Sequence, residues 1–186
     1  MKAIGDAMRN LKDLRIELID RGAGFHEIVE NIQILADEGC DAIIIDGLWL
    51  IRTDGAQDLR IELKRITGRL KELSMDRNVA INAVHQINRS VEKATDPRPG
   101  VADLRDSSIE DDADMVCALF RPAAYIKGDV PDDMRDRGEC IVLKNRNGET
   151  GTAHLKFTGQ FMLWENLTAE NSRHNKEDER WQIPSV

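Results

Sequence analysis

Apolar residues recur along this chain with two spacings, and the change from one to the other outlines its elements. Leu14 to Ile19 is a short apolar run that predicts a strand ending at Asp20, after which Gly22 and Gly24 break the chain. From His26 onward the apolar positions are Ile28, Val29, Ile32, Leu35 and Ala36, a spacing of three and four that predicts a helix. Gly39 stands where such a helix would end, because glycine tolerates the left-handed backbone of a helix C-cap. Asp41-Ala42-Ile43-Ile44-Ile45-Asp46 comes next. Its β-branched residues do not alternate with polar ones, which suits a strand buried on both faces of a parallel sheet.

Residues 52–57 read as a polar loop. Leu59, Leu63, Ile66, Leu70 and Leu73 then place one apolar stripe along a long helix. Val79 to Val84 predicts a second buried strand, opening onto His85-Gln86. Residues 88–103 carry charges with Pro97, Pro99 and Gly100, a long loop of the kind that is functional or mobile. Met115 to Phe120 predicts another buried strand, and residues 122–138 read as irregular. Glu139 to Lys144 and Thr152 to Phe157 read as strands joined through Asn145-Arg146-Asn147-Gly148, with a last strand over Gln160 to Trp164. Strands alternating with helices imply an α/β sheet with right-handed crossovers, extended by antiparallel edge strands at its C-terminal side. Residues 1–166 read as one domain, and residues 167–186 as a polar, flexible tail.

Composition narrows this reading. The 186 residues are one domain's worth, with enough apolar side chains for a core but only 4% aromatics, so Leu, Ile, Val and Ala must build it. A net charge of -8 argues against a broad nucleic-acid coat and leaves room only for a local basic track. Cys40, Cys117 and Cys140 lie far apart and read as buried free thiols of a reducing cytosol. No CxxC or HxxxH spacing suggests a structural metal, no apolar run is long enough for a membrane span, and no signal-peptide pattern opens the chain. The cytoplasm is the expected compartment.

Chemistry concentrates at the predicted strand ends. Ligands of parallel α/β sheets bind outside the carboxyl ends of the strands. An acid such as Asp46 suits Mg²⁺ there, although a strand-terminal cap has the same pattern. Gln86 and Asn88 lie after the next strand, where an amide can sense phosphate or orient water, or simply cap a turn. Lys144 and Arg146 alternate and so share a face. They form an anion site or an edge pair that discourages strand addition. Arg89, Lys93, Arg98 and Arg105 lie in or beside the long loop, which is either solvated or reaches for a nucleic-acid backbone.

Taken together and in order, these segments resemble the DnaB family of replicative DNA helicases. The matching pieces are Ile43-Ile44-Ile45-Asp46-Gly47-Leu48-Trp49-Leu50, His85-Gln86-Ile87-Asn88-Arg89-Ser90-Val91-Glu92-Lys93 and Asp96-Pro97-Arg98-Pro99. They continue with the stretch from Asp103-Leu104-Arg105 to Ala113-Asp114 and with Lys144-Asn145-Arg146-Asn147-Gly148. The resemblance implies a RecA-like, mostly parallel sheet flanked by helices. It also implies an ATP-dependent, ring-forming hexamer that acts on single-stranded DNA at replication forks. Asp46 would be the Walker B acid that positions Mg²⁺ through water, and Gln86 the sensor. Arg146, with Lys144 beside it, would be an arginine finger reaching ATP bound by a neighbouring subunit. Arg89, Arg98, Arg105, Ser107 and Ser108 would face the DNA backbone.

Some positions depart from the family pattern. Trp49 stands where the family usually has Gln, and His85 where it usually has Ser. The segment from Arg105 to Ile109 is one residue short and lacks a glycine. The sequence contains no GxxxxGK[ST] phosphate loop, which in the family lies upstream of the matching region. The resemblance therefore implies a motor domain truncated at its N-terminal side and unable to hydrolyse ATP alone, partnered by further copies or by the other half of the motor. The alternative is a non-catalytic module of the same descent that binds single-stranded DNA or modulates a helicase ring.

Overall fold

The computed structural model describes residues 14–20, 24–51, 59–104, 108–126, 129–132 and 134–167. Helix α1 (Phe25–Asp37) leads into strand β1 (Ala42–Asp46), helix α2 (Leu59–Arg77) and strand β2 (Ala80–Val84). A short helix α3 (Ser108–Asp112) precedes strand β3 (Met115–Phe120). Strands β4 (Arg137–Asn145), β5 (Gly151–Thr158) and β6 (Leu163–Asn166) complete the order.

Both long helices end in the same way. At the end of α1, Gly39 takes φ +87, its N–H donates to the Ala36 carbonyl and Cys40 N–H donates to that of Leu35. At the end of α2, Asn78 takes φ 51, its N–H donates to Met75 and Val79 N–H donates to Ser74. These are paired reverse bonds around one left-handed residue, the Schellman arrangement that satisfies terminal carbonyls. Glycine makes the first stop legible in the sequence, and Asn78 is the less obvious second case.

The strands form two sheets. β1 and β2 pair in parallel, Ala42 opposite Ala80 through Asp46 opposite Val84. β3, β4, β5 and β6 form a four-stranded antiparallel sheet in that order. The expected α/β architecture is present; among the described residues parallel pairing is confined to β1–β2, and the C-terminal strands assemble with β3 into a sheet of their own. The predicted stripe of α2 packs as read: Leu63, Ile66, Leu70 and Leu73 are buried together with Ile32, Ile43, Leu48 and Val79.

Four sequence expectations change. Residues 14–20 form no strand, and Ile16 and Leu18 are exposed, since an extended segment needs a partner edge to become one. None of the three strands expected to be buried is covered on both faces: Ile43 is buried while Ile44 is 74% exposed, β2 is exposed apart from half-buried Ile81, and Met115 and Leu119 are exposed on β3. The last strand begins at Leu163, because residues 159–161 form a tight turn closed by left-handed Met162. The thiols are not buried, since Cys117 is exposed and Cys40 and Cys140 are half-buried. Of the predicted tail, residues 168–186 lie outside the described residues. Among the described residues no helix is long and apolar enough to cross a membrane.

Candidate functional site

The parallel register brings two of the predicted site residues to one edge. Asp46 pairs with Val84, so Gln86 lies just past the same carboxyl ends, and both residues are exposed. The chain turns sharply after Asp46. Leu48, 1% exposed, anchors the turn Leu48–Leu50 in the core, and the Trp49 ring lies against Gly47. A Cβ on Gly47 would overlap that ring, so only glycine fits there without displacing it. Trp49 meets His85 edge-on, ring centroids 6.3 Å apart. The two residues that depart from the family pattern thus meet each other. Asn88 serves locally as a cap, its side chain accepting the Ser90 N–H at 3.1 Å.

Lys144 sits on the other sheet, with Arg146 just past the end of its strand, and a bulge sets the direction of Lys144. Cys117 faces Val142 while Val116 faces Lys144, so Leu143 has no opposite number. Such an extra residue re-aims the side chains beyond it, and here it turns Lys144 to the face of Val116. Lys144 Nζ donates to the Glu110 carbonyl at 2.5 Å and to that of Asp111 at 3.3 Å. Arg146, in the turn after β4, donates to the Asp111 carbonyl at 3.2 Å and to Asp114 Oδ1 at 3.3 Å. The predicted pair of cations is therefore brought together, against the end of α3, where cations complement unsatisfied carbonyls.

Asp114 also joins Lys71 of α2, at 2.5 Å from Oδ2. The Lys71 hydrogen bond, then the charges of Lys71, Arg146 and Lys144, hold the Asp114 carboxyl below the usual carboxylate range. Thr67 Oγ1 lies 2.6 Å from Asp112 Oδ2. Through these contacts α2 braces the approach to β3. The sequence carried no signal for them.

Of the residues expected to face DNA, Arg89 is exposed at the start of a short turn. Arg98 is engaged inside the protein: its Nε and Nη2 donate to the two oxygens of Glu139, each at 2.8 Å. Ser108 opens α3, while Arg105 and Ser107 lie outside the described residues. The loop that carries Arg89 and Arg98 is closed at its base, where Ile87 bridges Leu104 and Asn88 N–H donates to the Asp103 carbonyl at 2.9 Å.

Among the described residues no three His, Cys, Asp or Glu side chains gather into a metal site. The single exposed carboxylate of Asp46 fits a magnesium ion that arrives with phosphates and keeps its waters, a mode that needs only one or two protein carboxylates.

The chain and its fold have relatives among known proteins. Residues 1–166 match the family model described as the DnaB-like helicase C terminal domain. The chain is 38% identical over 136 residues to the replicative DNA helicase DnaB of Haemophilus influenzae, covering 71% of this chain and 28% of that protein. It is 37% identical over 134 residues to the DnaB of Geobacillus stearothermophilus, covering 70% of this chain and 29% of that one. The chain thus spans under a third of the length of these relatives. A solved ATPase domain superposes with a TM-score of 0.80 at 27% identity, over 89% of this chain and 59% of that one. A DnaB-like replicative helicase solved for its interactions with primase superposes at 0.79 with 26% identity, over 88% of this chain and 41% of that one.

Proposed function

The chain belongs to the DnaB-like helicase C-terminal domain family, and from that premise we propose that it supplies one part of the nucleotide- and DNA-handling machinery of a replicative DNA helicase. The single observation that supports the reading is the parallel register of β1 and β2, in which Asp46 pairs with Val84, two residues before Gln86, so that both lie at the carboxyl ends of parallel strands. In that role Asp46 orients the magnesium that accompanies ATP, and Gln86 senses the phosphate and passes its state to the loop that begins at Asn88. Arg146, with Lys144 beside it, acts on ATP held by the next copy in a ring. Arg89, with Arg105, Ser107 and Ser108 beyond the loop, meets the single-stranded backbone. Magnesium, when bound, supplies charge neutralisation at the phosphates.

The sequence has no GxxxxGK[ST], so the backbone amides that would cradle the phosphates come from other residues than these. The purified chain is therefore expected to show negligible ATPase, and robust turnover by it alone would overturn this division of labour. Added to an active helicase of the family, the chain should change the ring's turnover, whereas an Arg146→Ala chain should not. Identical behaviour of the two would remove the finger role. The same absence favours a second reading, a non-catalytic module that binds single-stranded DNA. Salt-dependent binding without ATP supports that reading, and no binding at low salt excludes it.

A further inference from the structure

Glu139 is 1% exposed, a charge that a protein interior tolerates only when it is paired. Its partner comes from a distant part of the chain. Arg98 reaches it from the loop after β2, with two parallel 2.8 Å hydrogen bonds from Nε and Nη2. That fork is the geometry in which a guanidinium recognises a carboxylate and an ammonium cannot.

The surroundings keep the guanidinium in place. Asp96 Oδ1 accepts the Arg98 backbone N–H at 3.1 Å and Nη1 at 3.3 Å. The Arg98 Cζ lies 5.3 Å from the centroid of the Phe120 ring, and Phe120 is the residue opposite Glu139 in the β3–β4 register. Pro97 and Pro99, on either side of Arg98, fix the backbone there, and both are buried. The Glu92 carboxylate, from the first turn of the same loop, adds to burial in pushing the Tyr125 hydroxyl up, and Tyr125 stacks on Phe120. The loop is thus seated on the start of β4 and the end of β3.

We infer that Glu139 is a positioning residue for nucleic-acid binding: by clamping Arg98 it fixes the loop of residues 88–104, and Arg98 serves DNA through that clamp rather than by touching phosphate. The inference rests on the DNA-binding reading above, with Arg89 as an exposed cation that the loop presents.

The test uses the full chain, hydrogen exchange, and a fluorescent oligothymidylate titrated over a range of salt. Glu139→Gln and Arg98→Lys should both speed amide exchange in residues 88–104 while leaving β5 and β6 protected. Both should weaken oligothymidylate binding about tenfold with an unchanged salt slope, because no phosphate contact is lost. Arg89→Ala should instead lower the slope by about 0.7, the value of one single-strand phosphate contact. Unchanged exchange in residues 88–104 of Glu139→Gln overturns the clamp. An Arg98→Lys chain that binds like wild type, while Arg98→Met loses about 0.7 in slope, overturns it in favour of direct phosphate contact. If the wild-type chain binds no oligothymidylate, the DNA reading falls and the exchange result judges the clamp by itself.

Discussion

Gly47 shows how much one residue can carry beside this site. Its neighbour Trp49 lies where a Cβ would be, and Trp49 in turn holds an edge contact with His85, the residue just before Gln86. A Gly47→Ala substitution must push the ring aside. It is expected to lower stability by about 1–3 kcal/mol, the usual cost of overfilling a packed site. It should also shift the Trp49 emission as the ring leaves His85. A variant that melts and fluoresces like the wild type would mean that the ring does not need that space. Glu139→Ala should cost more, about 3 kcal/mol, since it takes the buried carboxylate away from the Arg98 guanidinium. Thermal melting separates the two. None of this was legible in the sequence. A glycine after an acid reads as a turn, and an acid in a strand has no periodicity that names its partner 41 positions away.

At the scale of elements, sequence pattern and structure agree where a pattern has a period. The stripe of α2 and the strand after it come from apolar spacing alone, and the Gly39 stop comes from the backbone freedom of glycine. Residues 14–19 fail as a strand for a related reason: their apolar character describes a strand, but pairing, not composition, makes one. Lys144 and Arg146 were readable as a pair, whereas the bulge at Leu143 that aims Lys144 was not, because a bulge depends on its partner strand.

The same helix α2 supplies an element-scale prediction. Lys71 and Arg146 converge on Asp114 and depress its titration. A carboxylate with a lowered folded value adds stability that is present above its ordinary value of about 3.9 and is lost as pH falls through the folded value. Wild type should therefore exceed Asp114→Asn in melting temperature at neutral pH, with the difference shrinking only below about pH 4. Because Asp114 is 48% exposed, the difference should also shrink in high salt. A gap that persists unchanged at about pH 2 would place the effect in packing instead.

For the whole molecule, the decisive feature is that its strands are better suited to burial than their setting provides. Ile44 and Val84 belong to the parallel pair, and both are exposed. Met115 and Leu119 are exposed on β3, on the face opposite Ala118 and Phe120. Among the described residues, β2 pairs only with β1 and β3 only with β4, so each keeps an unpaired edge beside its uncovered apolar face. An open edge with apolar neighbours is a template for strand addition, and charged side chains placed on it suppress that pairing. The chain by itself should accordingly self-associate, with a light-scattering mass that rises with concentration. Met115→Lys with Leu119→Lys should lower that mass without disturbing the buried face of β3, which melting of the variant would verify. A sharp monomer at every concentration would show that these edges are covered in solution, and the exposed faces would then have to be closed from within the chain.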